Sequence, residues 1–290
     1  MIRRRHCIFR LPHRQLELGA RTLLMGILNV TPDSFSDGGL FLSKSRALER
    51  ALEIQEEGAD LLDIGGESTR PPHAEVLPAR EELRRILPVL EGLAGKMRIP
   101  ISVDTYKAEV AEAALEAGAE IINDIGGLRF HGWQDLQEVV RRHQAGLVLM
   151  HSRGSAESLH GLSPLKNILR SVKSSLSLSL QRARQGGIPT DRLILDPGLG
   201  FGKSAEDNLH LLRKLDTMAA FRLPLLVGAS RKSFIGKVLD LPTGERVHGS
   251  LACAAAAIFG GAHIVRVHDV RPSLEVARMC DAILQSGFER

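Results

Sequence analysis

The sequence predicts an α/β protein, a (β/α)8 TIM barrel with an N-terminal β-hairpin extension, and three observations carry that reading. Eight short apolar runs recur at near-even spacing, each followed by a longer stretch of helical periodicity. Aromatic residues are scarce: one Trp, one Tyr and nine Phe in 290 residues. The core therefore has to be built from Leu, Ile, Val and Ala, which suits a parallel sheet wrapped in helices. Eight strand–helix units fill a barrel of about 250 residues and leave residues 1–21 outside it. An open doubly wound sheet is the competing arrangement.

In residues 1–21, Cys7, Phe9 and Leu11, then Leu16 and Leu18, alternate with polar positions around Pro12-His13. That is the pattern of a hairpin, placed to plug the N-terminal end of the barrel. Strands are expected at 23–28, 61–64, 99–103, 121–123, 146–150, 192–195, 224–227 and 264–267. Helices are expected at 43–57, 79–93, 108–118, 133–143, 163–186, 205–215, 249–259 and 273–284. Gly58-Ala59, Gly118-Ala119 and Gly261-Ala262 introduce three of the strands, a Gly after a helix supplying the left-handed cap that turns the chain. The Ser-rich stretch 171–179 is not low complexity, because Leu165, Ile168, Leu169, Val172, Leu176 and Leu180 keep helical spacing through it. Nothing in 1–290 has the composition of a linker, so one domain is expected.

A net charge of +4 and a pI near 9.1 hint at anionic partners. The basic residues are scattered, however, and no stripe or recognition motif points to nucleic acid. Three cysteines without CxxC spacing suggest neither a disulfide framework nor a zinc site. The basic residues 1–5 are not followed by a sustained apolar stretch, as a signal peptide would be. The longest apolar run, 251–261, falls short of the roughly 20 residues a bilayer needs. A cytoplasmic protein is expected.

The connector after the first strand reads Asn29-Val-Thr-Pro-Asp-Ser-Phe-Ser-Asp-Gly-Gly39. A strand–helix connection usually takes about 2–6 residues. One this long and polar, tethered to a strand end, is where function tends to sit. In a barrel the active site lies at the C-terminal strand ends. Those ends carry Asn29, Asp63, Asp104, Asn123-Asp124, Met150-His151, Asp196, Ser230-Arg231-Lys232 and Arg266-Val-His268-Asp269. Duller explanations exist for each: Asp104 as a helix cap, Asn123-Asp124 and Asp196-Pro-Gly198 as turn chemistry, Lys232 and His268 as solvated surface. As a set they imply a polar ligand with complementary donors and acceptors, since buried polar groups need partners. Gly198-Leu-Gly-Phe-Gly202-Lys203 is not a Walker loop, because position 197 is Pro. It reads as a tight turn presenting Phe201 and Lys203 beside Asp196.

Several motifs then stand together in order: Asn29 to Gly39, Asp60-Leu-Leu-Asp-Ile-Gly-Gly-Glu-Ser-Thr-Arg-Pro71, Ser102-Val-Asp-Thr105, Ile122-Asn-Asp-Ile125, Asp196-Pro-Gly-Leu-Gly-Phe-Gly-Lys203, Gly228-Ala-Ser-Arg-Lys-Ser233 and Arg266-Val-His268. The chain closely resembles the dihydropteroate synthase family from about residue 22 to its C-terminus. Members of that family join 6-hydroxymethyl-7,8-dihydropterin pyrophosphate to 4-aminobenzoate, releasing pyrophosphate and 7,8-dihydropteroate in folate synthesis, and sulfonamides mimic the aminobenzoate. The resemblance implies that Asp196 accepts from the ring N–H and amino group of the pterin, a carboxylate being the matching double acceptor. It implies that Asn123 and Asp104 read neighbouring ring nitrogens, that Lys232 donates to the pterin carbonyl, that Met150 packs at the pocket base, and that Arg266 stacks on the ring. Asn29, Arg266 and His268 would face the pyrophosphate. A Mg2+ ion is implied, with Asn29 as its protein ligand and Asp37 as an outer contributor.

The aminobenzoate site would form between Phe35, Ser36 and Asp37 of the first long loop and Thr69, Arg70 and Pro71 of the second, over Phe201, Lys232 and Ser233, with Ser230 a further substrate-binding candidate. The first loop is expected to be a mobile cover hinged at Gly38-Gly39. Asp104 would counter the cation left when pyrophosphate departs. His151-Ser152-Arg153-Gly154 departs from the family's usual Met-rich stretch at the pocket edge. A homodimer is the family expectation, the Ala-rich helix at 249–260 suiting close packing. The alternatives are a pterin-binding methyltransferase domain, which would not need all of these motifs together, and a non-catalytic pterin-binding paralogue, expected to lose Asn29, Lys232 or His268.

Overall fold

The computed structural model describes residues 4–31, 39–67, 76–154 and 165–286. An antiparallel hairpin comes first, β1 (Cys7–Arg10) paired with β2 (Gln15–Leu18) in the register Phe9 to Leu16. Eight parallel strands follow: β3 (Leu23–Asn29), β4 (Leu61–Gly65), β5 (Ile101–Asp104), β6 (Ile121–Asp124), β7 (Gly146–Met150), β8 (Leu193–Asp196), β9 (Leu226–Val227) and β10 (Ile264–Val267). They lie in the order β8-β7-β6-β5-β4-β3-β10-β9, and a parallel bridge between Leu195 and Leu225 brings the two edges together. The result is the (β/α)8 barrel that the recurring apolar runs predict.

Helices alternate with the strands: α1 (Gly39–Glu56), α2 (Ala79–Leu93), α3 (Ala108–Glu116), α4 (Trp133–Arg142), α5 (Ile168–Gln185), α6 (Ala205–Arg213), α7 (Ser233–Leu239), α8 (Val247–Phe259) and α9 (Val270–Gln285). Among the differences from the sequence expectation, α5 starts five residues late at Ile168, and three others have a physical reason. α1 starts at Gly39, four residues early, so the expected Gly38-Gly39 hinge loses its second glycine to the helix; Gly38 lies outside the described residues. α9 starts before Pro272, because proline in a first helical turn forfeits no intrahelical bond. α7 is short, carries Gly236 within it and is too brief to show periodicity, and it is absent from the expected helices.

Strand alternation sorts the core into two shells. Outward residues such as Leu24, Leu62, Val103, Ile122, Leu147, Leu195 and Val265 pack under the helices. Inward residues one position away, Met25, Leu61, Ile121, Val148, Ile194, Leu226 and Ile264, fill the lower barrel together with Phe9, Leu11 and Leu18 of the hairpin. The hairpin is thus the floor of the barrel. Two residues further along four of these rows the character changes to the polar Asp63, Asn123, Asp196 and Arg266, with Met150 level with them on β7. That change sets the depth of the site.

Candidate active site

The inward side chains above the apolar layer form one connected polar group. Arg266 of β10 reaches across the barrel, its Nε 2.6 Å from Asp63 Oδ2 and its Nη2 2.8 Å from Asp104 Oδ2. Asn123 Nδ2 donates to the same Asp63 oxygen at 3.1 Å. Asn123 and Asp104 are direct neighbours across β5 and β6. Asp63 Oδ1, Asn123 Oδ1 and Ser102 Oγ are buried without a partner among the described residues. Desolvation pushes the Asp104 carboxyl up to about 7; Arg266 opposes the rise and the nearby Asp63 carboxylate adds to it. Two carboxylates share one guanidinium, so the cluster resists holding both as anions.

Asp196 ends β8 directly beside Met150. Its Oδ1 accepts from Gly198 N at 2.6 Å, so part of the side chain serves the Asp-Pro-Gly turn. Burial raises its pKa, with Lys232 the principal opposing charge. Gly198 is required there: its φ is +65°, and a Cβ would stand 1.9 Å from the His151 carbonyl oxygen. Lys232 donates to the Leu199 carbonyl and lies 4.4 Å over the Phe201 ring. Gly200 leaves the space that its aliphatic stem occupies, since a Cβ would come within 2.8 Å of Lys232 Cδ. Met150 and Ile125 form a small apolar cluster with Phe201, Tyr106 and Phe130, the last two meeting edge to face at 5.3 Å. The apolar wall of the site is therefore edged by charge, Asp196 standing beside Met150 and Lys232 over Phe201.

The β9–α7 connection passes through Arg231, whose φ of +56° is unusual for a side chain of that size. Its backbone N donates to Ser250 Oγ at 2.8 Å, its carbonyl accepts from Arg246 Nη1 at 3.2 Å, and its guanidinium forks onto Asp269. This clamp fixes the backbone between Ser230 and Lys232. Ser230 Oγ accepts from His268 N at 3.2 Å and sits 2.9 Å from His268 Nδ1, which orients the imidazole. A cavity of about 350 Å³ opens beside His268, lined by Arg50, Glu57, Arg231, Asp269 and Arg271 among others.

The structure brings Asp104, Asn123 and Arg266 into one hydrogen-bonded group, sets Asp196 beside Met150 and Lys232 over Phe201, and pairs Ser230 with His268. Asn29 ends β3 level with Gly65, near Asp104: the Cβ that Gly65 lacks would lie 3.9 Å from Asn29 Oδ1 and 4.0 Å from Asp104 Oδ2. Ser233 is exposed at the first residue of α7. Phe35, Ser36, Asp37, Thr69, Arg70 and Pro71 lie outside the described residues.

Two turn explanations hold in part. Asp124 is the turn residue, accepting from Gly126 N at 2.7 Å and Leu128 N at 2.6 Å, which frees Asn123 for the interior. Lys203 spends its ammonium on the carbonyls of His151, Gly198 and Phe201, so it builds the loop rather than facing a ligand. Sequence reasoning placed Asp63 among the strand-end polar residues but gave it no role in the site, and it missed Ile125, Tyr106 and Phe130 as wall. Asp63 was legible as an acidic residue inside an apolar strand.

The family described as pterin binding enzyme matches residues 25–268. The dihydropteroate synthase of Synechocystis sp. is 46% identical over 266 residues, covering 91% of this chain and 91% of its own. The chain belongs to the dihydropteroate synthase family. Solved dihydropteroate synthases agree with it in three dimensions. That of Xanthomonas albilineans with 4-aminobenzoic acid superposes with a TM-score of 0.88 at 41% identity, over 97% of this chain and 99% of the other. That of Yersinia pestis in a sulfonamide complex gives 0.88 at 40% identity, over 96% and 99%.

Proposed function

We propose that the chain is a dihydropteroate synthase, condensing 6-hydroxymethyl-7,8-dihydropterin pyrophosphate with 4-aminobenzoate to give 7,8-dihydropteroate and pyrophosphate. The observation that carries this reading is the polar layer of Asp63, Asp104, Asn123 and Arg266 beside Asp196 and Lys232, inside a barrel of that family. The pterin would lie on the Met150–Ile125 wall, its donor edge on Asp196 and its carbonyl toward Lys232. The second substrate would approach from the side of Phe201 and Ser233, and sulfonamides would compete there.

Arg266 and His268 bind and orient the pyrophosphate. As the C–O bond breaks they hold its growing negative charge, while the methylene carbon left behind becomes a cation delocalised into the ring. Asp104 as an anion stabilises that cation, and the neutral aryl amine then attacks without a dedicated base. The amine proton leaves to solvent after the C–N bond forms.

Mg2+ fits these residues as an ion carried with the pyrophosphate. Among the described residues no group of three His, Cys, Asp or Glu could hold a metal, whereas Asn29 offers one hard oxygen at the mouth. The ion when bound would neutralise phosphate charge.

A pair of chains is the expected assembly. α8 leaves Ala252 and Ala256 exposed, and α9 leaves Met279 at 62% exposure. Light scattering on the purified protein should read twice the mass of 31.6 kDa. The function is tested with purified protein, Mg2+ and both substrates at saturation: dihydropteroate is expected, and its absence refutes the assignment.

A further inference from the structure

Asp63 stands on β4 where the barrel interior turns from apolar to polar, and none of it reaches solvent. Its Oδ2 accepts from two residues of the proposed pterin pocket, Arg266 Nε at 2.6 Å and Asn123 Nδ2 at 3.1 Å. The second bond decides a polarity. A side-chain amide beside a carboxylate turns its NH2 toward it, because the opposite orientation sets oxygen against oxygen. Asn123 therefore points Oδ1 elsewhere, and that oxygen is buried without a partner among the described residues. Such an acceptor is destabilising until a donor meets it. The first bond decides a plane. A guanidinium held through Nε by one carboxylate and through Nη2 by another, Asp104, has two fixed points and cannot rotate about its long axis.

We propose that Asp63 is a positioning residue of the pterin pocket: its carboxylate locks the plane of Arg266 and turns Asn123 so that the amide oxygen accepts from a ring N–H or amino group of the ligand. This rests on the pterin reading above. A heteroaromatic ring that brings a donor to Asn123 is admitted. One that brings only an acceptor to that oxygen is refused, because Asn123 cannot turn over while Asp63 is present.

The test is Asp63→Asn, which keeps the shape but lets residue 63 donate to Asn123 as well as accept from it. Steady-state kinetics on wild type and variant should show the KM for pterin pyrophosphate rising at least tenfold while the KM for 4-aminobenzoate stays within twofold. A pterin KM within twofold of wild type, or equal rises in both KM values, overturns the proposal; general damage to the fold would move both. A wild-type chain without turnover would defeat the functional reading instead. A second measurement needs neither turnover nor a folded variant. In 15N-labelled wild-type protein, one Nδ2 proton of Asn123 should exchange with solvent at least a hundredfold more slowly than those of exposed Asn167. That protection should persist when 6-hydroxymethylpterin is added. Exchange at the Asn167 rate would show that Asp63 does not hold the amide, and the proposal falls.

Discussion

Asp104 is pulled in two directions: burial disfavours its charge, and the proposed chemistry requires it. With its pKa raised to about 7 from an ordinary 3.8, it is protonated in the empty enzyme below neutrality. The kcat/KM for pterin pyrophosphate should therefore rise with pH through an apparent pKa near 7. Asp104→Asn should remove that step from the profile along with most of the rate, leaving only the ionisation of the substrate. For stability the sign is reversed. A carboxyl raised on folding costs nothing below its unfolded pKa, and the cost grows as pH rises toward the folded value. Asp196→Ala should abolish pterin binding in a fluorescence titration, whereas Asp37→Ala should lower turnover with pterin affinity kept. Equal losses of affinity in both would refute that division. Residue types at the strand ends were readable from sequence because each followed an apolar run. Which of Asn123 and Asp124 faced inward was not, since that depends on strand phase and on two backbone N–H groups several residues away. For the same reason Asp63, recognisable as polar, could not be tied to Arg266, which is 203 positions further along the chain.

At the scale of elements, the hairpin and the strand ends do separate jobs. Phe9 is fully buried in the lower barrel among Leu61, Ile121, Val148 and Ile194. Phe9→Ala should destabilise the protein by about 3–5 kcal/mol, the usual range for a buried aromatic. Denaturant melts would measure that loss, and KM values at low temperature should be unchanged because the floor touches no site residue. Strands were located to within a residue or two because period-two alternation and Gly-Ala punctuation are local signals. The start of α1, the whole of α7 and the first turn of α9 were less legible. Gly39, Gly236 and Pro272 each read locally as a breaker; the surrounding fold overrides that tendency for the glycines, and Pro272 sits in a first turn where it costs nothing.

Across the whole molecule, the chain ends of the barrel are stitched below the floor. Asp281 of α9 accepts from Thr22 N at 2.6 Å, Thr22 Oγ1 at 2.8 Å and Arg4 Nη2 at 2.5 Å. His263 completes the seam, its Nδ1 accepting from Leu225 N at 3.2 Å while Nε2 lies 3.0 Å from the Arg5 carbonyl. The bond that Nδ1 accepts needs the neutral ring, and burial lowers its pKa to about 4 from 6.5. The stability it lends is full above the unfolded value and disappears as pH falls through the folded one. A shift of that size corresponds to roughly 3 kcal/mol. Melting temperature should drop between pH 6.5 and pH 4, and His263→Gln should flatten that part of the curve while lowering its plateau at neutral pH. Neither seam was legible in sequence, because each joins residues more than 200 positions apart or across strand edges.

The unpartnered oxygens of Asp63 and Asn123 and the hydroxyl of Ser102 also bear on how the protein tolerates change. Each is a standing energetic liability, and a ring bound as proposed would relieve the one on Asn123, so the empty barrel is less stable than its framework allows. Apolar replacements in that layer, such as Ser102→Ala, should raise the melting temperature of the ligand-free protein and shrink the further rise that a pterin produces. Robustness and affinity are drawn here from the same few atoms, and a lineage selected only for heat resistance would erode its own pocket first.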